Sequence, residues 1–133
     1  MEDVMEKEDK GLIRIERAIT PHEDGLIRWL LVQGDVDPKP FQAQLNDITV
    51  AFKCNCGCPT IYFAYNGEPV SNGAEHIISD YLATVEDQQV GVMLFQRNGY
   101  LSSLEVYSCA GTDKPFGLPE IESIYPYEDA TKH

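Results

Sequence analysis

The dipeptide Asn98-Gly99 constrains the fold of this chain more than any other feature of its sequence. Both residues tolerate a positive φ, so the pair favours the two-residue turn that joins neighbouring antiparallel strands. Strand-like runs flank the turn, over residues 90–96 before it and 101–107 after it. The ideal pairing across the turn is Phe95 with Ser102, Met93 with Leu104 and Gly91 with Val106. We therefore predict a β-hairpin whose apolar face carries these paired residues.

Apolar residues recur at every second position in another pair of runs, residues 48–53 and 61–65. A tight turn at Cys56 and Gly57 would bring these two runs into register. The predicted pairs are Ile48 with Tyr65, Val50 with Phe63 and Phe52 with Ile61. All of these side chains then share one face, as a half-buried hairpin requires. A further strand is predicted at residues 77–85, joined by residues 86–89 to the strand at 90–96.

A helix is predicted to begin after Thr20, whose hydroxyl can cap the first turn. Pro21 occupies the first helical position, and Glu23 completes a capping box. Apolar residues follow at helical spacing, and Gly34 stands where the C-terminal cap is expected. The spaced residues are Leu26, Ile27, Leu30 and Leu31. The pattern predicts a helix of about 13 residues and a shorter second helix after Pro40.

This order of elements, helices first and strands afterwards, predicts an α+β fold. We expect one or two N-terminal helices packed on an antiparallel sheet of about four to five strands. The 133 residues have room for one domain. We expect that domain to cover residues 11–127, between an acidic N-terminal tail at 1–10 and a polar C-terminal tail at 128–133.

The charge balance excludes several classes of function. The chain carries 22 acidic and 10 basic residues, a formal net charge of −12. Such a balance argues against binding of nucleic acid or of an anionic membrane surface. No apolar run approaches the length of a membrane span, and the acidic first ten residues do not resemble a secretory signal. We therefore expect a cytoplasmic location.

Three cysteines are crowded together at Cys54, Cys56 and Cys58. Their thiolates could converge on one soft metal ion, with zinc as the candidate and Cys109 or His76 as a fourth ligand. A zinc site normally adds a second, similar pair of ligands, however, and the sequence lacks one. The favoured interpretation is therefore a tight turn in which small cysteine side chains pack at the end of the sheet. A redox or disulfide role is the third alternative and would need exposed thiols of low pKa.

Catalysis receives little support from the sequence. His76 could act as a base towards Cys58 or Cys109, but no nucleophile elbow or ordered triad accompanies these residues. Glu105 lies within a strand-like run, and simple alternation predicts that it faces solvent. We therefore name no catalytic residue and expect a protein that is not an enzyme.

The C-terminal half carries a recognisable sequence pattern. Residues 90–95 (VGVMLF), 98–108 (NGYLSSLEVYS) and 118–119 (LP) resemble a group of small bacterial proteins with a "dGxLsxLEvYs…LP" ending. The ITPxE start at residues 19–23 and the CGCPT stretch at 56–60 are also similar to members of that group. The resemblance implies a bacterial, cytoplasmic domain of unknown function. It brings no catalytic residues with it.

The first functional hypothesis is a binding protein that engages a protein partner through a sheet face and acidic loops. Residues 54–96 contain five acidic residues and no lysine or arginine, which favours a basic partner. Neutralisation of a basic toxin by an immunity protein is an analogy that rests on size and charge alone. The alternative hypothesis is a zinc-binding domain centred on Cys54, Cys56 and Cys58.

Overall fold

The computed structural model describes residues 11–111 and 114–132. They form one antiparallel sheet of eight strands, and two α-helices pack on one of its faces. The helices are α1 (Pro21–Gln33) and α2 (Pro38–Gln44). The strands are β1 (Leu12–Arg17), β2 (Ile48–Cys54), β3 (Ile61–Tyr65), β4 (Glu68–Pro69), β5 (Glu75–Val85), β6 (Gln88–Arg97), β7 (Tyr100–Ser108) and β8 (Ile124–Tyr125). Their order in the sheet is β1-β2-β3-β7-β6-β5-β8, with β4 paired to β3.

The predicted α+β fold with four to five strands is wrong, because the structure is dominated by an eight-stranded sheet. The five strands indicated by alternation are all present, as β2, β3, β5, β6 and β7. β1, β4 and β8 are additional. β4 and β8 are two residues long, too short to show alternation. β1 pairs with β2 although α1 and α2 lie between these strands in the sequence. No local sequence pattern reveals this pairing.

The predicted first helix is confirmed. Thr20 Oγ1 accepts a hydrogen bond from the Glu23 N–H at 3.1 Å, and Glu23 Oε1 accepts one from the Thr20 N–H at 2.9 Å, so the capping box is complete. Gly34 caps the C-terminal end with an extended φ of −83°. Glycine is needed there for space, since a Cβ would lie 2.7 Å from the carbonyl oxygen of Ile78. The second helix begins earlier than predicted, after Asp37 caps its first turn.

The main core lies between the helices and one face of the sheet. Side chains such as Leu26 and Leu30 from α1 meet Val50, Val92 and Leu104 from the sheet, and none of these is exposed to solvent. Burial of each such side chain stabilises the fold by about 1.5–3 kcal/mol. The opposite face of the sheet is only partly covered, and there the sheet carries a second, smaller apolar cluster of Ala51, Phe52 and Ala64.

A bulge in β2 changes the predicted register of the first hairpin. Ile48 pairs with Tyr65 and Val50 pairs with Phe63, as predicted. Between Val50 and Phe52 the register shifts, and Phe52 pairs with Tyr62 rather than with Ile61. One extra residue in a strand sends the following side chain to the other face. Phe52 therefore belongs to the smaller cluster and not to the main core.

A second bulge alters the hairpin at Asn98-Gly99. The turn itself is confirmed, with φ values of 53° and 82° at its two residues. The register shifts between Phe95 and Gln96, so Phe95 pairs with Ser103 rather than with Ser102. The predicted apolar face of this hairpin is therefore wrong. The face buried beneath the helices carries Val90, Val92, Leu94, Leu101, Leu104 and Val106.

The two halves of the sheet are joined by a short seam. β3 and β7 pair only through Ile61 with Leu104 and Tyr62 with Ser103. Beyond this point the two strands separate, and β3 continues alongside β4 instead. The partly covered face is therefore divided between a β1–β4 half and a β5–β8 half. A cavity lies between the two halves.

The last residues that the structure describes form a short helix next to β5. Tyr127–Lys132, most of the expected C-terminal tail, form a 3-10 helix, and the Tyr127 hydroxyl donates a hydrogen bond to Asp80 Oδ1 at 2.9 Å. The expected acidic tail at 1–10 and His133 lie outside the described residues. In the part of the chain that the structure describes, no helix has the length and apolarity needed to cross a membrane.

The ion pair between Arg17 and Glu23 links the end of β1 to the start of α1. Arg17 donates hydrogen bonds to both oxygens of Glu23, at 2.9 and 2.7 Å, and Glu23 is 4% exposed. Burial opposes ionisation of Glu23, but the hydrogen bonds from Arg17 and from the Thr20 backbone outweigh it and lower the pKa of this carboxyl. Glu23 therefore stabilises the fold above its unfolded-state pKa of about 4.3. That stability is lost as the pH falls through the lowered folded-state pKa.

We expect Glu23→Gln to reduce the free energy of unfolding by about 2–4 kcal/mol at pH 7, because it leaves Arg17 without its charged partner. Urea unfolding at pH 7 and near pH 3 measures the effect, which should shrink at the lower pH. The matched control is Asp24→Asn. Asp24 forms an exposed pair with Arg28, so its loss should cost about 0–1 kcal/mol. Equal costs for the two variants would contradict the prediction.

Candidate functional site

The cysteine loop, residues 54–60, follows the end of β2. Cys54 is the last residue of that strand, and its N–H donates a hydrogen bond to the Thr60 carbonyl at 3.3 Å. Gly57 adopts a φ of +94°, which reverses the chain and which side chains other than glycine adopt only with strain. This part of the sequence interpretation, a turn at Gly57, is confirmed. Ile61 then begins β3.

Residues from two distant parts of the chain hold this loop in place. The Asn55 N–H donates to the Gly11 carbonyl at 2.7 Å, and the Phe116 N–H donates to the Gly57 carbonyl at 3.3 Å. The C-terminal segment passes so close that a Cβ on Gly57 would lie 3.0 Å from the Pro115 ring. The loop is therefore supported by residues that come before β1 and after β7.

The three cysteine sulfurs of the loop converge. Cys56 Sγ lies 2.7 Å from Cys54 Sγ and 2.8 Å from Cys58 Sγ, and all three lie within 4.8 Å of one another. Backbone N–H groups also point at the sulfurs: Cys56 N–H donates to Cys54 Sγ, and Cys58 N–H donates to Cys56 Sγ, both at 3.3 Å. Cys56 is exposed, whereas Cys54 and Cys58 are half-buried. This group of thiols could hold a metal ion.

The environment makes the thiols of Cys54 and Cys56 unequal. Burial, followed by the hydrogen bond with Cys56, raises the pKa of Cys54 to about 12. Burial also opposes ionisation of Cys56, but the hydrogen bonds with the Cys54 and Cys58 thiols and from the Cys58 N–H outweigh it and lower the pKa of Cys56. Cys56 therefore ionises more readily than Cys54. A thiolate, not a thiol, is the form that ligates metals.

The other residues named from the sequence lie elsewhere. Cys109 follows β7 and donates its N–H to the Gln89 carbonyl at 3.0 Å, and it is not among the three residues whose sulfurs converge. Burial raises the pKa of its thiol. His76 is an exposed residue of β5 that pairs with Gln96, and it too is outside the converging group.

Glu105 lies on the face predicted by alternation, opposite the helices. It is half-buried there, where solvent was expected. Ser103 Oγ donates a hydrogen bond to Glu105 Oε2 at 3.2 Å. Burial, together with the negative charge of Glu75, raises the pKa of Glu105. The sequence signal that could have found this site is the pair of serines within a strand-like run, Ser102-Ser103.

Comparison with known proteins assigns no family. No family model matches this chain, no curated protein matches it, and no solved structure matches it. The resemblance to small bacterial proteins with the "dGxLsxLEvYs…LP" ending stays a prediction. Function must therefore be argued from the residues themselves.

The support of the loop by the C-terminal segment is testable through Gly57. We expect Gly57→Ala to reduce the free energy of unfolding by about 2–4 kcal/mol, since it adds a close contact with Pro115 to the strain of a positive φ. Gly67→Ala is the matched control. Gly67 has a φ of +81° but open space around its Cβ position, so alanine there should cost only about 1–2 kcal/mol. Urea unfolding in reductant and chelator compares the two, and equal losses would contradict a contact with Pro115.

Proposed function

We propose that this chain binds a soft metal ion, zinc, through Cys54, Cys56 and Cys58. The observation that supports the proposal is the convergence of the three sulfurs within 4.8 Å. If the cysteines only filled space at the end of the sheet, their sulfurs would have no reason to meet at an exposed position. Thiolate ligands select soft ions such as zinc over the hard cations that prefer oxygen.

The three sulfurs of the loop must spread apart to hold an ion. Zinc–sulfur bonds of about 2.3 Å place the sulfurs of a tetrahedral centre about 3.8 Å apart. Binding therefore requires Cys56 to move away from each neighbour by about 1 Å. Cys56 is exposed and free to make this movement, whereas the half-buried Cys54 and Cys58 are more constrained. With three ligands from the loop, water or another exogenous group completes the tetrahedron.

Metal content after purification without chelators tests this function. We expect close to one zinc ion per chain by plasma mass spectrometry, with the loop thiols protected from titration. Cys56→Ser should abolish binding and lower the melting temperature of the zinc-loaded protein. Cys109→Ser is the matched control and should retain the ion. A metal-free wild type that does not take up added zinc, with all cysteines titratable, would refute the proposal.

A second candidate function, docking of a basic protein partner, is favoured by a separate observation. Residues 54–96 contain no lysine or arginine, and all of their acidic residues are exposed. These are Glu68, Glu75, Asp80, Glu86 and Asp87. The last two form the turn between β5 and β6. Carboxylates concentrated in this way attract a positively charged partner and accelerate its association.

Salt dependence tests this second function. The immobilised chain is used to capture proteins from a lysate at about 50 and about 300 mM salt, and the captured proteins are identified. Between these concentrations the screening length of electrostatic interactions more than halves. We expect one basic protein in near-stoichiometric amount at low salt. High salt, and the double variant Glu86→Gln/Asp87→Asn, should each reduce its capture at least about threefold. Capture that is equal under all of these conditions would contradict docking by charge.

A further inference from the structure

A cavity of about 750 Å³ lies between the two halves of the sheet. Residues from both halves line it, together with residues 67–71 around β4. They include Leu12, Arg14, Phe52, Tyr62, Arg97 and Ser102. The volume falls within the range of about 300–1,000 Å³ that is typical of small-molecule sites. The cavity is on the opposite face of the sheet from the helices.

The floor of the cavity carries a buried polar atom without a partner. Ser102 is 3% exposed, and its Oγ makes no hydrogen bond in the structure. A buried hydroxyl left unpaired costs about 1–3 kcal/mol, so such groups are rare unless something binds them. Ser102 is the extra residue of the β7 bulge, which places it beside Ser103 on the cavity side. The bulge thus brings two serines into the cavity lining, and the hydroxyl of Ser102 is enclosed there by protein atoms.

Aromatic rings and carboxylates form the walls. Phe52 and Tyr62 present their side chains from neighbouring strands. Glu75 lines the cavity, and Glu105 lies next to it, bonded to Ser103. Burial, followed by the negative charge of Glu105, raises the pKa of Tyr62 to about 12. The Tyr62 hydroxyl therefore lies in a desolvated position near the Glu105 carboxylate.

The two arginines that line the cavity each have a carboxylate partner. Arg97 donates to the Gly73 carbonyl at 2.8 Å and lies 3.7 Å from Glu75. Arg14 pairs with Glu16, and its guanidinium carbon lies 5.5 Å from the centre of the Phe52 ring. The Glu105 carboxylate, by contrast, has the hydroxyl of Ser103 as its hydrogen-bond donor. A half-buried carboxylate in this position attracts a cation.

We propose that this cavity binds a small molecule that carries an ammonium group on an aromatic or apolar body. The ammonium pairs with the carboxylates of Glu75 and Glu105. The body packs on the rings of Phe52 and Tyr62. This site is separate from the cysteine loop, and the inference does not rest on metal binding or on docking of a protein partner.

Calorimetric titration with three probes of the same shape tests the proposal. The probes are phenethylammonium, which carries the cation, phenethyl alcohol, which is neutral, and 3-phenylpropionate, which is anionic. We expect saturable binding of phenethylammonium with a Kd of about 1 mM, as suits a fragment of this size. The neutral and anionic probes should bind at least about tenfold more weakly, because neither can pair with a carboxylate.

Three variants locate the binding within the molecule. Glu105→Gln and Glu75→Gln keep the shape of the side chain, and we expect each to weaken phenethylammonium about three- to tenfold. Glu86→Gln removes an equal charge from the exposed turn between β5 and β6 and should leave the affinity unchanged. Melting temperatures verify that each variant is folded. No saturable binding by wild type, equal binding of the three probes, or unchanged affinity in both cavity variants would overturn the proposal.

Discussion

Two single-residue bulges determine which side chains of this sheet face the helices and which face the cavity. Alternation along a strand means that one extra residue moves everything beyond it to the other face. In β2 the bulge removes Phe52 from the main core and places it in the smaller cluster. In β7 it places Ser102 and Ser103 together on the cavity side and returns Leu104 to the core. The core and the cavity both depend on these two positions.

The parts of the fold that could be predicted from the sequence are those whose signals are local. The start of α1 is encoded within a few residues by Thr20 and Glu23, each of which caps the other. The Asn98-Gly99 turn is equally local, because a positive φ at both residues is a property of these two side chains. Strand alternation also survives in the structure, up to the point in each hairpin where a bulge interrupts it.

The remaining features depend on partners that are distant in sequence. β1 is a strand because β2 lies beside it after two intervening helices, and β8 is one because β5 offers a free edge. The crowding of Cys54, Cys56 and Cys58 is visible in the sequence, where convergence of their sulfurs is one of three alternatives, and the choice among them depends on the fold of the loop. The cavity was missed altogether, because Tyr62 and Ser103 become neighbours only through the short seam between β3 and β7.

The clamping of the cysteine loop from both sides has a consequence for the order of folding. The loop bonds to Gly11, which lies 44 residues before Asn55, and to Phe116, which lies 59 residues after Gly57. Contacts of such long sequence separation carry a large closure entropy and form late. During synthesis the cysteines emerge from the ribosome well before the segment that completes their loop. The final arrangement of the three sulfurs therefore marks a chain in which Gly11 and Phe116 have both docked on the loop, and it serves as a chemical signature of finished folding.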